Sequence, residues 1–200
     1  HRVLILPQLG AVGVSAHEVK QRSHFKVEYG PIRAADLPAY LQTRQAEPAM
    51  RKVTFTLKER LVLAPVEFTN LFVPLAITFA ALWFLLSPLA ALGALAAGLA
   101  GSLLFPALLP WLPTRQFSIK GFTLGGLAAL PFAVAAYSAS PVPQPWLRAV
   151  FGLAFGLGIP AATAYMALNF TGATPLTSRS GVQREMKRYI PFMAVMAGAS

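Results

Sequence analysis

Between Leu61 and Thr114 the chain carries a single ionisable side chain, Glu67, and no other feature limits its fold as strongly. A stretch so long and so poor in charge has to be buried in lipid, where about 20 apolar residues make one helical crossing of the hydrocarbon core. The whole chain agrees, with 56% hydrophobic and 12% charged residues, against roughly 25% charged in ordinary soluble domains. Upstream the pattern reverses. Arg2, Lys20, Arg22, Lys26, Arg33, Arg44, Arg51, Lys52, Lys58 and Arg60 all precede Leu61, so a domain boundary falls near that residue.

Apolar runs predict spans at about 66–86, 89–112, 122–140 and 147–168, with a fifth beginning at 190 and cut off at 200. The connections test this assignment. Ser87-Pro88 is uncharged, 113–121 carries Arg115 and Lys120, 139–146 is uncharged, and 169–189 carries Arg179, Arg184, Lys187 and Arg188. Positive and neutral connections alternate, and the positive ones share a side with the basic N-terminal region. By the positive-inside rule that region is cytoplasmic and the spans lie in the cytoplasmic membrane. Gly93, Ala97 and Gly101 share one helical face, as do Gly152 and Gly156, which predicts close-packed seams. Trp83, Trp111 and Trp146 fall near predicted span ends, at headgroup level. Glu67 reads as a carboxylate snorkelling from the start of the first span. Arg184, Glu185, Lys187 and Arg188 read as an anchor facing anionic lipid.

The N-terminal region has a different period. Val3-Leu4-Ile5-Leu6 is a short buried-strand run ended by Pro7; Gly10 and Gly13 then space out a loop, and Ser15 with Glu18 forms a capping-box pattern that starts a helix. Residues 25–29 alternate apolar and polar as a second strand, closed by Gly30-Pro31, and 34–42 is a second helix. The order β-α-β-α implies a parallel sheet, whose ligands bind in the crevice beyond the C-terminal strand ends. Here those ends are 7–15 and 30–33. Two strands do not complete a doubly wound sheet, so further strands are expected upstream of His1, where no Met begins the chain. The expected organisation is a partial parallel-sheet (Rossmann- or flavodoxin-like) α/β domain at 1–57, a tether at 58–65, and an all-α membrane domain of five helices at 66–200, the last truncated.

Several chemistries are excluded or set aside. The formal charge of +10 is spread without a dense run or interleaved aromatics, which argues against nucleic acid. No cysteine is present, so these residues form no disulfide, Cys-ligated zinc site or iron–sulfur cluster. Gly10-x-x-Gly13 lacks both the full dinucleotide fingerprint and the Lys-Ser/Thr of a P-loop. Ser15 and His17 have no acid to orient the imidazole and read as helix-start residues. His1, His17 and His24 make no metal spacing. The sequon Asn169-Phe170-Thr171 falls on the cytoplasmic side. Pro131 and Pro160 could break helices as in a small transporter with a cytoplasmic domain, but no buried charged pair accompanies them.

Three stretches carry a family resemblance. The first, residues 1–19, contains Leu6-Pro7-Gln8-Leu9-Gly10-Ala11-Val12-Gly13-Val14, and the second, residues 25–38, contains Tyr29-Gly30-Pro31-Ile32-Arg33. Both resemble the end of the corrinoid-binding domain in the corrinoid iron–sulfur protein of the acetyl-CoA (carbon monoxide dehydrogenase/acetyl-CoA synthase) pathway. The third is the membrane tail containing Met166-Ala167-Leu168-Asn169-Phe170-Thr171-Gly172 and Ser180-Gly181-Val182-Gln183-Arg184-Glu185-Met186, which is similar to that of the mercury-methylating corrinoid proteins. The resemblance covers nearly the whole chain, and the union of corrinoid motifs with a membrane tail is its discriminating feature.

The resemblance implies an enzyme in which the cobalt of a corrinoid (cobalamin-type) cofactor takes a methyl group from a folate-type donor and passes it to Hg(II). A ferredoxin-like iron–sulfur partner would return the cobalt to its reduced state. The family's lower cobalt ligand is a Cys in an Asn-x-Trp-Cys-Ala type cap helix, absent here, so this chain implies a C-terminal fragment without catalytic residues of its own. The crevice residues Pro7, Gln8, Leu9, Gly10, Ala11, Gly13 and Val14, with Gly30, Pro31 and Arg33, are the expected cofactor contacts. A carrier methylating another acceptor is the alternative within the same class.

Overall fold

A computed structural model describes residues 2–172 and 179–200. The chain divides into two compact units, His1–Thr54 and Phe55–Ser200.

In the first unit, β1 (Val3–Pro7) runs into a 3-10 turn (Gln8–Val12), then α1 (Ala16–Ser23), β2 (Lys26–Gly30), a second 3-10 turn (Ala34–Asp36) and α2 (Leu37–Thr43). The strands pair in parallel, with Val3 opposite Lys26 and Pro7 opposite Gly30, so both end at the same edge. Ser15 caps α1 by accepting from the Glu18 N–H at 3.4 Å, which satisfies one of the donors a helix start leaves over. His24 and Arg44 take the left-handed conformation that ends α1 and α2. Few side chains are buried here. Tyr40 is its one fully buried large hydrophobic among the described residues, and it lies over Gly30, where an added Cβ would come within 2.9 Å of Ile5 and 3.3 Å of Tyr40.

The second unit is helical: α3 (Leu57–Leu61), α4 (Leu63–Leu85), α5 (Pro88–Leu99), a π-helical turn (Ala100–Leu104), α6 (Phe105–Leu108), α7 (Phe117–Ala139), α8 (Pro145–Asn169) and α9 (Arg179–Gly198). Thr56 starts α3 with a complete capping box: it accepts from the Glu59 N–H, and the Glu59 carboxylate accepts from the Thr56 N–H at 2.8 Å. Thr56 and Glu59 have the same three-residue spacing as Ser15 and Glu18, so the sequence pattern alone does not separate the two helix starts. Four helical stretches, Leu57–Leu85, Pro88–Leu108, Phe117–Ala139 and Pro145–Asn169, are long and apolar enough to cross a membrane among the described residues.

The fifth span differs from expectation. α9 begins at Arg179, eleven residues before the expected start at 190, and its first half carries Arg184, Glu185, Lys187 and Arg188. Helical spacing explains why a charged stretch is not a loop. Val182, Glu185, Tyr189, Met193 and Met196, three or four apart, form a covered stripe joined by Ile190, while Arg184, Lys187 and Arg188 stay exposed. Residues 173–178 of the expected basic connection lie outside the described residues.

Glycine sets the tightest contact of the bundle, between α7 and α8. A Cβ at Gly121 would lie 2.5 Å from the Ala164 Cα, and one at Gly125 would lie 2.6 Å from the Pro160 Cα. These are backbone atoms, which cannot rotate away, so the two helices approach here as small-residue seams do in membranes. Gly93 meets Phe155 and Gly101 meets Met166, as seam residues should, but Gly156 has nothing within 4 Å. Pro131 and Pro160 sit inside unbroken helices. The irregular turn is instead the π segment at Ala100–Leu104, just before Pro106, which has no N–H to give the Ser102 carbonyl four residues back. Around it Phe105, Phe117 and Phe170 cluster, with ring centroids 5.8 and 5.6 Å from Phe105.

Candidate functional site

The parallel register brings both strand ends to one edge of the first unit, and a cavity of about 220 Å³ opens there. Its walls come from β1 (Ile5, Leu6, Pro7), from the turn after β2 (Pro31, Ile32, Arg33) and from the start of the following helical segment (Ala34, Leu37). The lining is apolar except for one guanidinium. Arg33 is held from behind, its Nη2 donating to the Thr54 carbonyl at 2.9 Å and also to the Thr54 hydroxyl. The Ile32 N–H donates to the Met50 carbonyl at 3.0 Å, fixing the same turn. This is the C-terminal crevice of a parallel sheet, in the place where such sheets take ligands.

The loop after β1 is fixed from β2. The Tyr29 hydroxyl donates to the Val14 carbonyl at 2.5 Å, and the Gly10 carbonyl accepts from the N–H groups of Gly13 and Val14, each at 3.0 Å. Gln8, Leu9, Gly10 and Ala11 lie in the 3-10 turn so made. Its apolar side chains are not tucked in: Leu9 is 50% and Val12 97% exposed. Over Gly10 and Gly13 there is open space, with nothing within 4 Å of a Cβ position. Both have ordinary backbone angles, since among the described residues no glycine has positive φ; turn geometry therefore does not require them.

Of the ten expected contacts, Pro7, Pro31 and Arg33 line the cavity. Gln8, Leu9, Gly10, Ala11, Gly13 and Val14 form the adjoining loop. Gly30 departs from the expectation, because Ile5 and Tyr40 cover its Cα and commit it to packing. The sequence reading missed Ile5, Leu6, Ile32, Ala34 and Leu37. Strand alternation puts Ile5 and Leu6 on opposite faces of β1, so it could not mark both as lining, and nothing local distinguishes a crevice-lining Leu37 from a core leucine.

His17 is not placed for catalysis: its Nε2 lies 2.9 Å from the Gln21 amide nitrogen on the exposed face of α1. Among the described residues no group of three or more His, Asp or Glu comes together as a metal site.

In the second unit, polar groups concentrate at the end of the bundle where α6 stops and α7 starts. Arg60 is 5% exposed; it donates to the Ala107 carbonyl at 3.0 Å and lies 5.6 Å from the Trp111 ring centre. Lys120, expected in a loop, is buried in the first turn of α7 and donates to the Leu109 carbonyl at 2.5 Å. Both cations thus sit on carbonyls that the end of α6 leaves without helical partners, the end that favours positive charge. From α9 the Glu185 carboxylate accepts from the Ser118 N–H at 2.5 Å, and the Tyr189 hydroxyl donates to the Gln116 side-chain carbonyl at 2.6 Å. A carboxylate at the start of α7 complements that helix's positive end. Arg148 belongs to the opposite end, in the first turn of α8, donating to the Val142 carbonyl at 2.6 Å.

Comparison of the chain with protein-family models, with curated proteins and with solved structures finds no match.

Proposed function

We propose that the first unit forms one wall of a corrinoid pocket in a membrane-anchored methyl carrier, and that the carrier's acceptor is Hg(II). The observation that supports this reading is the apolar cavity at the joined C-terminal strand ends, beside a loop with open glycines. A corrinoid is a broad, flat group with a largely apolar rim. It needs a wall without protruding side chains, and Gly10 and Gly13 offer bare backbone next to Pro7 and Pro31. The fit is that of a wall alone. The chain has no cysteine, so the family's thiolate ligand to cobalt is not among these residues. When bound, the cofactor would supply a cobalt-carried methyl group.

The roles left to this chain's own residues are modest and specific. Ile5, Leu6, Pro31 and Leu37 exclude water from one side of the pocket. Arg33, braced by Thr54, keeps a positive charge at the rim, where it suits a carbonyl or phosphate oxygen of the cofactor's side arms. Tyr29 holds the glycine loop in place through Val14. The cation distribution supports a cytoplasmic position for this unit, where a folate-type methyl donor and a ferredoxin-like reductant are within reach.

The test uses the full-length protein that contains this chain, loaded with corrinoid and supplied with methylfolate, a ferredoxin-like iron–sulfur protein and Hg(II). Methylmercury should form, and Ala34→Trp, which fills the cavity, should slow it about tenfold or more by displacing the cofactor. Loaded protein that makes no methylmercury would remove Hg(II) as acceptor, and undiminished turnover in Ala34→Trp would remove the cavity from the site.

A further inference from the structure

Glu67 is the one ionisable residue between Leu61 and Thr114, and other oxygen-bearing side chains gather around it. It is half-buried and, with the buried Ser102 and with Asn70 and Asn169, which are exposed at the rim, lines a cavity of about 110 Å³ whose other walls include Met166 and Phe170. Glu67 and Asn70, three residues apart, share a face of α4. Asn169 is the last residue of α8, and Ser102 lies in the π-helical turn. Two helices and an irregular turn therefore converge four oxygen-bearing side chains on one space. None of Glu67, Asn70 and Asn169 makes a hydrogen bond or ion pair to another described residue, whereas the Ser102 hydroxyl donates to the Gly98 carbonyl at 2.7 Å and keeps its oxygen as an acceptor.

We propose that this cavity binds a monovalent cation of the alkali-metal class, coordinated by the Glu67 carboxylate and by side-chain oxygens of Asn70, Ser102 and Asn169.

The argument is one of charge balance and donor type. A carboxylate on a helix long and apolar enough to cross a membrane is expensive unless it is paired, and the two buried cations among the described residues of this unit, Arg60 and Lys120, donate to the Ala107 and Leu109 carbonyls instead. A cation from solution is then the natural partner. One carboxylate neutralises one positive charge, so a divalent ion would leave an uncompensated charge where the dielectric is low. Carboxylate, amide and hydroxyl oxygens are hard donors, which suits ions held by oxygen rather than by sulfur or imidazole. The volume leaves room for the ion with a few waters, each needing about 30 Å³ in the liquid. The π turn completes the arrangement, because one extra residue in the helical turn re-aims side chains at a place where such turns often serve function. None of this depends on the corrinoid reading, since it rests on the helical unit alone.

The experiment is equilibrium binding of radioactive sodium and rubidium, in separate arms, to the full-length protein in detergent. One arm should show saturable uptake of about one ion per chain, with Glu67→Gln weakening it about tenfold or more and Glu67→Asp retaining part of it. If Glu67→Gln does not elute as folded protein, Asn70→Leu and Asn169→Leu carry the test and should each weaken binding several-fold. Absence of saturable binding in both arms would overturn the proposal, as would wild-type affinity in Glu67→Gln. Displacement of the bound ion by an equal concentration of calcium would overturn the monovalent assignment.

Discussion

The two units bury their residues in opposite ways. In the helical unit small residues bring backbones together, as where Gly121 and Gly125 meet Ala164 and Pro160, and the phenylalanines around Phe105 fill what remains. In the α/β unit Tyr40 is the principal buried side chain, while Val3 and Leu4 of β1 stay 36% and 39% exposed. Strands of parallel sheets are normally covered on both faces. The helical unit is thus explained by its own packing and by four helices long and apolar enough to cross a membrane, whereas the α/β unit leaves apolar strand surface, a crevice and a glycine loop that its own residues do not cover.

The sharpest way to break the contrast is at the α7–α8 seam. Gly125→Leu forces a side chain into the Pro160 backbone and should cost about 3 kcal/mol or more, lowering the thermal unfolding midpoint in detergent and the yield of monodisperse protein. Gly156→Leu, on open surface, should stay within about 0.5 kcal/mol of wild type. Equal effects would mean that the bundle is not held by backbone approach. Next in size, Tyr40→Ala should cost the α/β unit about 3 kcal/mol, the low end for a buried aromatic because the unit is open enough to relax. Limited proteolysis should then cut within residues 2–54 and leave the helices intact.

These effects could not all have been ranked from sequence. The spans were legible because absence of charge over 20 residues has one physical meaning, and the β-α-β-α order was legible because strand and helix periods differ. α9 was not, since Arg184, Lys187 and Arg188 suggested a loop until the covered stripe from Val182 to Met196 showed a helix. Lys120 and Glu185 were likewise read as loop charges, because their partners, the Leu109 carbonyl and the Ser118 N–H, are backbone groups that no composition reveals. Gly121 and Gly125 escaped notice for a related reason. Small-residue spacing occurs on several helices, and only the neighbour's position decides which pair forms the seam. At the crevice the edge was inferable from topology, but the inward aim of Ala34 and Leu37 and the covering of Gly30 were not.

Two smaller changes sharpen the comparison within the α/β unit and at the start of the bundle. Tyr29→Phe removes the hydrogen bond to the Val14 carbonyl and should cost about 1 kcal/mol, read as faster amide exchange at residues 8–14 with little change elsewhere. Thr56→Ala removes the capping box of α3 and should cost about 0.5–1 kcal/mol, seen as a slightly lower unfolding midpoint.

Gly10→Leu should have the smallest effect on stability of all, since nothing lies within 4 Å of its Cβ position, and for that reason it isolates the cofactor. Cobalt per chain, measured by elemental analysis on full-length protein purified from cells grown with cobalamin, is the quantity to compare. About one cobalt per chain in wild type, with a clear loss in Gly10→Leu at unchanged unfolding temperature, is the expected result. Colourless wild-type protein without cobalt, or full occupancy in Gly10→Leu, would contradict the assignment of this crevice as a corrinoid wall.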